Sequence, residues 1–273
     1  MTDDSKTAAD SIAAHNQHAW DAQVQQGNRW TLPVDAAAVA RARSGSVEIV
    51  LTPNKPVPSE WLGSLQDRRV LCLASGGGQQ GPLLAAAGAQ VTVFDLSAQQ
   101  LAQDRAVAER EGLSITLEQG DMRDLSRFAD GSFELIVHPV SNCFIDDIQP
   151  VWRDCHRVLQ SGGRLLSGFT NPILYLFDPE KEQQGQLIVR HRMPYVDTDV
   201  YTPEEHRKHF GETAPYEFGH SLTDQIGGQL RAGFILIDMY EDEESLDKPD
   251  RLASQHFAPF IATCADKRAA SPF

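Results

Sequence analysis

The sequence predicts an α/β protein with a doubly wound sheet of seven strands, mostly parallel and ending in an antiparallel C-terminal hairpin. Three observations carry this. Between residues 70 and 169, short apolar runs alternate with stretches of helix-forming composition, joined by short turns. That rhythm belongs to parallel βαβ units. The first run leads straight into a glycine turn, Ser75-Gly76-Gly77-Gly78. The last two runs, 234–240 and 257–264, are joined by an acidic segment rather than a helix, which pairs them antiparallel.

Each element follows in order. Residues 11–26 have helix-forming composition, and VEIVLTP (47–53) reads as a short strand before the prolines at 53, 56 and 58. Val70–Ala74 is an apolar run of the kind a fully buried strand shows. A helix follows over Gln79–Ala87, with Pro82 in its first turn and Gly88 at its end. Gln90–Phe94 is the second strand and Ser97–Glu111 the second helix, with Ser97 as N-cap. Ile115–Glu118 and Phe133–Val137 are the third and fourth strands. A helix near 147–159 precedes the fifth, Gly163–Phe169. The alternation then stops: residues 171–219 contain Pro, Gly and many aromatics. A helix near 221–232, a sixth strand at Phe234–Tyr240, an acidic run from Glu241 to Asp250 and a last strand near Phe257–Cys264 follow. The expected division is an N-terminal helical extension over 1–67, acting as a cover, and one main domain over 68–267 with an insert at 171–219.

The chain has 38 acidic residues against 24 Lys and Arg, for a net charge of −14. That balance counts against nucleic acid or an anionic lipid surface as partner, since both call for clustered basic side chains. No run approaches the apolar length of a membrane span. The start, MTDDSKTAAD, lacks the basic and apolar parts of a secretory signal, so a cytoplasmic location is expected. Cys72, Cys143, Cys155 and Cys264 are far apart and read as reduced packing residues. In EEHRKHF (204–210), His206 and His209 share a helix face, but no third ligand is marked. A solvated face is expected there, and no metal.

The glycine turn points to a ligand. Glycines let backbone approach a bound group closely, and the following helix N-terminus offers unpaired N–H groups. Asp95 ends the second strand, where its carboxylate could accept hydrogen bonds from both hydroxyls of a ribose. Together these describe a nucleoside-bearing cofactor at the carboxyl ends of the strands. The spacing Gly76-x-Gly78-x-x-Gly81 also satisfies the dinucleotide fingerprint, so an NAD(P)-dependent oxidoreductase is the natural rival. Ser75 with Gly77 makes half of a hydrolase elbow, but Leu73 stands where its first glycine belongs.

Later segments resemble one family in order. VLCLASGGG (70–78), FDLS (94–97), GDMRDL (120–125), FELIVHPVSN (133–142), RVLQSGGRLL (157–166), AGFILIDMYED (232–242) and FAPFIATCADK (257–267) are similar to the motifs of class I S-adenosylmethionine-dependent methyltransferases. The small-molecule type with a methyltransferase type 11 core fits best, over residues 68–267. HNQHAWD (15–21) looks like a bacterial subgroup of these proteins. The resemblance implies a Rossmann-like sheet, S-adenosyl-L-methionine as cofactor and S-adenosyl-L-homocysteine as product. It implies that Ser75, Gly76, Gly77 and Gly78 line the methionine end, that Asp95 holds the ribose and that Leu96 packs beside the adenine. Asp121 should bond the adenine amino group, with Met122 against the ring, and His138 and Pro139 should lie beneath the transferring methyl.

Two departures stand out. The family often has an acid where this chain has Cys72 and a glycine where it has Ala74, which removes one anchor of the glycine loop or the cofactor amino group. HPVSN also differs from the Asn/Asp-Pro-Pro-aromatic motif of enzymes that methylate DNA bases or glutamine. The function expected is methyl transfer to a small-molecule acceptor by in-line displacement, which mainly needs alignment and exclusion of water. A non-catalytic protein that binds the same cofactor is the other alternative. If the acceptor must lose a proton, His138 is the first candidate base. Trp20, Trp30, Asn142 and Tyr175 are candidate pocket residues, with the insert and the N-terminal helix as an aromatic cover suited to a small, partly apolar acceptor. Sequence leaves the oligomeric state open.

Overall fold

Seven strands form one sheet in the order β3-β2-β1-β4-β5-β9-β8. We describe the chain from a computed structural model, which covers residues 3–243 and 251–268. The parallel strands are β1 (Arg69–Leu73), β2 (Gln90–Asp95), β3 (Ile115–Gln119), β4 (Phe133–His138) and β5 (Leu159–Thr170). β9 (Phe260–Lys267) runs antiparallel to β5 and to β8 (Phe234–Asp242). This is the expected α/β class, with strand order reversing between β1 and β4. A crevice opens at the carboxyl ends of the strands where such a reversal occurs.

The central strands β1 and β4 are buried at all but one position each, because both faces are covered, whereas β3 at the sheet edge has no buried residue. Along β1, Val70 and Cys72 join one core cluster while Leu71 and Leu73 join the other. This is the period-two alternation of a strand buried on both sides. The first cluster takes in α4 (Gln80–Ala86) and Leu101 of α5 (Ala98–Glu111). The second takes in α6 (Gln149–Val158), whose Trp152 is fully buried. Ser97 caps α5, its hydroxyl accepting from the Gln100 N–H. Ser221 caps α10 (Leu222–Ala232) in the same way through Asp224, and Gly233 ends that helix at φ 107°.

The N-terminal region is largely helical, and differs from expectation at residues 47–53. α1 (Asp3–Gln25) and α2 (Ala36–Arg43) are helices, and α3 (Ser59–Leu62) is a single turn. VEIVLTP is not a strand; its one ladder contact is an isolated bridge between Val50 and Pro56. Ile49 and Leu51 are buried all the same, in the cluster that contains Val70, Leu135 and Leu166. A Cβ on Gly168 of β5 would come within 2.8 Å of the Leu51 carbonyl carbon. The segment therefore lies flat on the sheet, and its apolar residues signal burial rather than pairing. Val57, Trp61, Leu62 and Leu65 join the same core cluster.

The insert holds α7 (Pro179–Gln183), β6 (Tyr195–Val196), α8 (Asp197–Val200), α9 (Pro203–Phe210) and β7 (Phe218–Gly219), with β6 and β7 paired antiparallel. The solvated reading of α9 fails at His206, which is 1% exposed with its Nε2 3.2 Å from Asp197 Oδ2. His209 reaches Glu180 at 3.1 Å. The acidic run is also not uniformly exposed. Asp242 is buried and accepts from the backbone N–H groups of Asn54 and Lys55 at 2.8 and 3.1 Å. Residues 244–250 of that run lie outside the described residues. All four cysteines are free and buried.

Candidate active site

A cavity of about 380 Å³ opens at the carboxyl ends of β1, β2, β4 and β5. Ser75 and Gly76 form one wall, Asp95 and Leu96 the next, Asp121 and Met122 a third, and Pro139 to Ser141 the floor toward β4. α1 and the insert close the top. Asn16 of α1 donates to the Phe144 carbonyl at 2.8 Å, and its Oδ1 accepts from Tyr216 N–H at 2.7 Å. Trp20 meets the Phe144 ring edge-on at 5.0 Å. Asp21 Oδ1 accepts from the Ser97 hydroxyl at 2.5 Å. HNQHAWD is therefore a clasp that ties α1 to α5, to the segment after β4 and to the insert.

Asp95 organises the glycine turn. Its Oδ2 accepts from Gly76 N–H and its Oδ1 from Ser97 N–H, each at 2.9 Å. Burial pushes the carboxyl above its usual range, and the N–H groups of Ser97 and Gly76 pull it back only in part. The side chain still lines the cavity, so oxygen lone pairs remain for hydroxyl donors. Gly76 and Gly120 are needed at close approaches. A Cβ on Gly76 would lie 2.6 Å from Gln100 Cβ, and one on Gly120 2.7 Å from Phe94 Cε2. Gln100 lines the same cavity with a buried Oε1 that has no partner among the described residues. An acid for ribose, apolar Leu96 and Met122 and an unpaired amide oxygen at the glycine end fit S-adenosylmethionine.

Not every expected residue reaches the cavity. Gly77 and Gly78 do not line it; their φ values of 103° and 71° shape the turn. Gly78 packs instead on Pro33 and α5, and its carbonyl accepts from Val34 N–H at 2.9 Å. Asp121 lines the cavity, but its carboxylate is bracketed by the Arg123 guanidinium at 2.6 to 3.1 Å. Trp20, Trp30, Tyr175 and Pro139 are at the wall, whereas His138 and Asn142 are not. Both are 0% exposed.

His138, the candidate base, is hydrogen-bonded within the protein at both ring nitrogens. Its Nδ1 donates to the Leu73 carbonyl at 3.0 Å and its Nε2 lies 2.8 Å from the Asn142 amide. The Asn142 atom at Nε2 is its Oδ1, an acceptor; burial lowers the His138 pKa, while the hydrogen bonds to Leu73 and Asn142 act the other way. Asn142 passes the chain on to Gln225 of α10 at 3.0 Å. His138→Ala should cost about 1–3 kcal/mol in urea unfolding by leaving these groups unpaired. Binding of S-adenosylhomocysteine should stay within about threefold. A tenfold loss of affinity without loss of stability would return His138 to the site.

The acid missing at Cys72 has a neighbour in its place. Asp104 of α5 is fully buried beside Cys72 and beneath the glycine turn. Its carboxyl oxygens have no close partner among the described residues. Burial pushes it up to about 7. Sequence reasoning also passed over Asn16, Gln80, Gln100, Phe144, Glu217 and Arg251, all of which line the cavity. None carries a local motif; only HNQHAWD flagged Asn16.

A reversed-order α/β sheet with a glycine turn, an acid after β2 and an antiparallel closing hairpin defines a class I methyltransferase. Comparison with known proteins gives the family. A methyltransferase-domain family matches residues 71–167. An uncharacterized methyltransferase of Bacillus subtilis (strain 168), YbaJ, is 51% identical over 233 residues, covering 85% of this chain and 91% of that one. The chain belongs to the S-adenosylmethionine-dependent methyltransferases with a type 11 domain, which sets aside the oxidoreductase and the non-catalytic binder. An S-adenosylmethionine-dependent methyltransferase from Mesorhizobium loti shares the fold with a TM-score of 0.59 at 20% identity, covering 76% of this chain and 94% of that one. So does a Burkholderia thailandensis 1,6-didemethyltoxoflavin-N1-methyltransferase, solved with 1,6-didemethyltoxoflavin and S-adenosylhomocysteine. Its TM-score is 0.58 at 14% identity, covering 95% and 90%. No helix among the described residues is long and apolar enough to cross a membrane.

Proposed function

We propose that this methyltransferase acts on a small, partly apolar molecule held under the insert at the ends of β4 and β5. One observation carries the reading. The cavity runs without a break from Ser75 and Asp95, past Pro139 and Val140, to Leu174, Tyr175 and Phe260, and α1 and the insert roof it. Asp95 holds the ribose hydroxyls, Leu96 and Met122 sandwich the adenine, and Asp121 turns its edge to the adenine amino group. Ser75 and Gly76 border the methionine end. The bound cofactor supplies an activated methyl on a cationic sulfur. The protein's share is alignment of the acceptor and exclusion of water, to which the roof contributes directly.

The test separates small from large acceptors. The protein is incubated with methyl-labelled S-adenosylmethionine, a bacterial metabolite extract, bulk RNA and bulk protein. Label is expected in the low-mass fraction. Label confined to acid-precipitable material would overturn the reading.

A further inference from the structure

The geometry points to Glu217 as the acceptor-binding base: its carboxylate, held by Tyr175, receives the proton of an acceptor O–H or N–H at the end of the cavity remote from Asp95. This rests on the methyltransferase reading above and adds a class of acceptor to it, a compact apolar molecule bearing a hydroxyl or amine. Glu217 lies in the insert immediately before β7, a region with no recognised motif.

Four observations place it. The Tyr175 hydroxyl donates to Glu217 Oε2 at 2.8 Å. No described residue donates a hydrogen bond to Oε1, on a side chain that borders the cavity. Thr170 at the end of β5 and Cys143 just after β4 both adjoin Tyr175, so the pair stands over the strand ends where methyl transfer takes place. Leu174, Phe144 and Phe260 line the same cavity and give it an apolar side, alongside the polar Thr170 and Arg251. A charged oxygen on such a wall has no use in packing, since burying it costs free energy unless a partner arrives.

The surrounding groups bias the carboxyl toward being a stronger base. Burial raises its pKa, and the Asp197 carboxylate raises it further, while Tyr175, Arg251 and His206 act the other way. Cys143 and Tyr195 also feel its charge. Arg251 is engaged with Glu182 at 2.7 Å and does not neutralise Glu217 by direct contact. Asp197 is itself held by the Tyr195 hydroxyl at 2.6 Å, by Glu217 N–H at 2.7 Å and by His206.

The acceptor heteroatom attacks the methyl carbon, the carbon–sulfur bond breaks with its electron pair going to sulfur, and the acceptor proton passes to Glu217. A second cavity of about 440 Å³, on the far side of Tyr175, Glu217 and Arg251, gives the carboxyl a face away from the cofactor through which that proton returns to solvent.

The experiment uses the full chain with saturating S-adenosylhomocysteine. Phenol and benzylamine are titrated at millimolar concentration, with toluene as the apolar control, and binding is read by calorimetry. Phenol or benzylamine is expected to bind at least tenfold better than toluene. Glu217→Ala should abolish that preference while leaving S-adenosylhomocysteine affinity unchanged. On the acceptor found in the labelling experiment, Glu217→Gln should lower kcat by roughly a hundredfold or more. It should also flatten a profile that in the parent rises with pH above the ordinary glutamate range. No preference over toluene, or a Glu217→Gln enzyme with parental kcat, overturns the proposal. Failure to bind S-adenosylhomocysteine at all strikes the methyltransferase reading instead.

Discussion

Asp95→Ala is expected to weaken S-adenosylhomocysteine binding at least tenfold and toward a hundredfold. Two separate losses combine. Each charge-assisted hydrogen bond from a ribose hydroxyl is worth about 1.5–3 kcal/mol, and each 1.4 kcal/mol is tenfold in affinity. The same carboxylate also holds the glycine turn, through Gly76 N–H, and the start of α5, through Ser97 N–H. Removing it leaves two backbone donors without their acceptor and the turn free to shift. Asp95→Asn retains one oxygen, so its loss should be smaller. The pH dependence has a definite sign. The Asp95 carboxyl titrates above the usual aspartate range, so affinity should fall with acidification from that raised pKa downward. Calorimetric titration with S-adenosylhomocysteine reads both effects. An affinity equal to the parent protein's removes Asp95 from the ribose site.

Asp95 was readable in the sequence because everything that places it is local. An apolar run specifies β2, Ser97 caps the next helix, and the glycines of the preceding turn receive the carboxylate. The same holds for most of residues 70–169, where strands buried on both faces announce themselves as unbroken apolar runs. What short-range patterns leave out has a common physical origin. Ile49 and Leu51 show the hydrophobicity of a strand because they are buried, yet they pack on the sheet face without ladder bonds. His138 ends a strand at the ligand edge, but its orientation is set by Leu73 and Asn142. Glu217 acquires its setting from Tyr175, 42 residues away, and Asn16 bonds to Tyr216, 200 residues away. Such pairings depend on how the insert folds back over the sheet, which no short-range pattern records.

Trp152→Ala should destabilise the protein by about 3–5 kcal/mol, the usual cost of truncating a fully buried large aromatic. Trp152 is 0% exposed on α6, and its indole N–H donates to the Asp224 carbonyl at 3.0 Å. Its ring stands edge-on to His138 at 6.1 Å. α10 is keyed onto this ring by Gly228, where a Cβ would lie 2.7 Å from the indole Nε1. α10 also supplies Gln225, the outer end of the chain that runs through Asn142 to His138. Trp152 therefore supports the back of the cavity without touching it. The midpoint of urea unfolding should fall sharply, while S-adenosylhomocysteine affinity measured well below that midpoint falls much less than for Asp95→Ala. A stability loss under about 1 kcal/mol would mean that the indole is not the key between α6 and α10. A double-mutant cycle localises the contact. Gly228→Ala alone should cost about 1–3 kcal/mol, because its methyl presses on the indole. In the Trp152→Ala background that pressure is gone, so most of the cost should vanish. A coupling of 1 kcal/mol or more is the signature of residues in direct contact. Simple additivity would show instead that α10 is held by its other contacts.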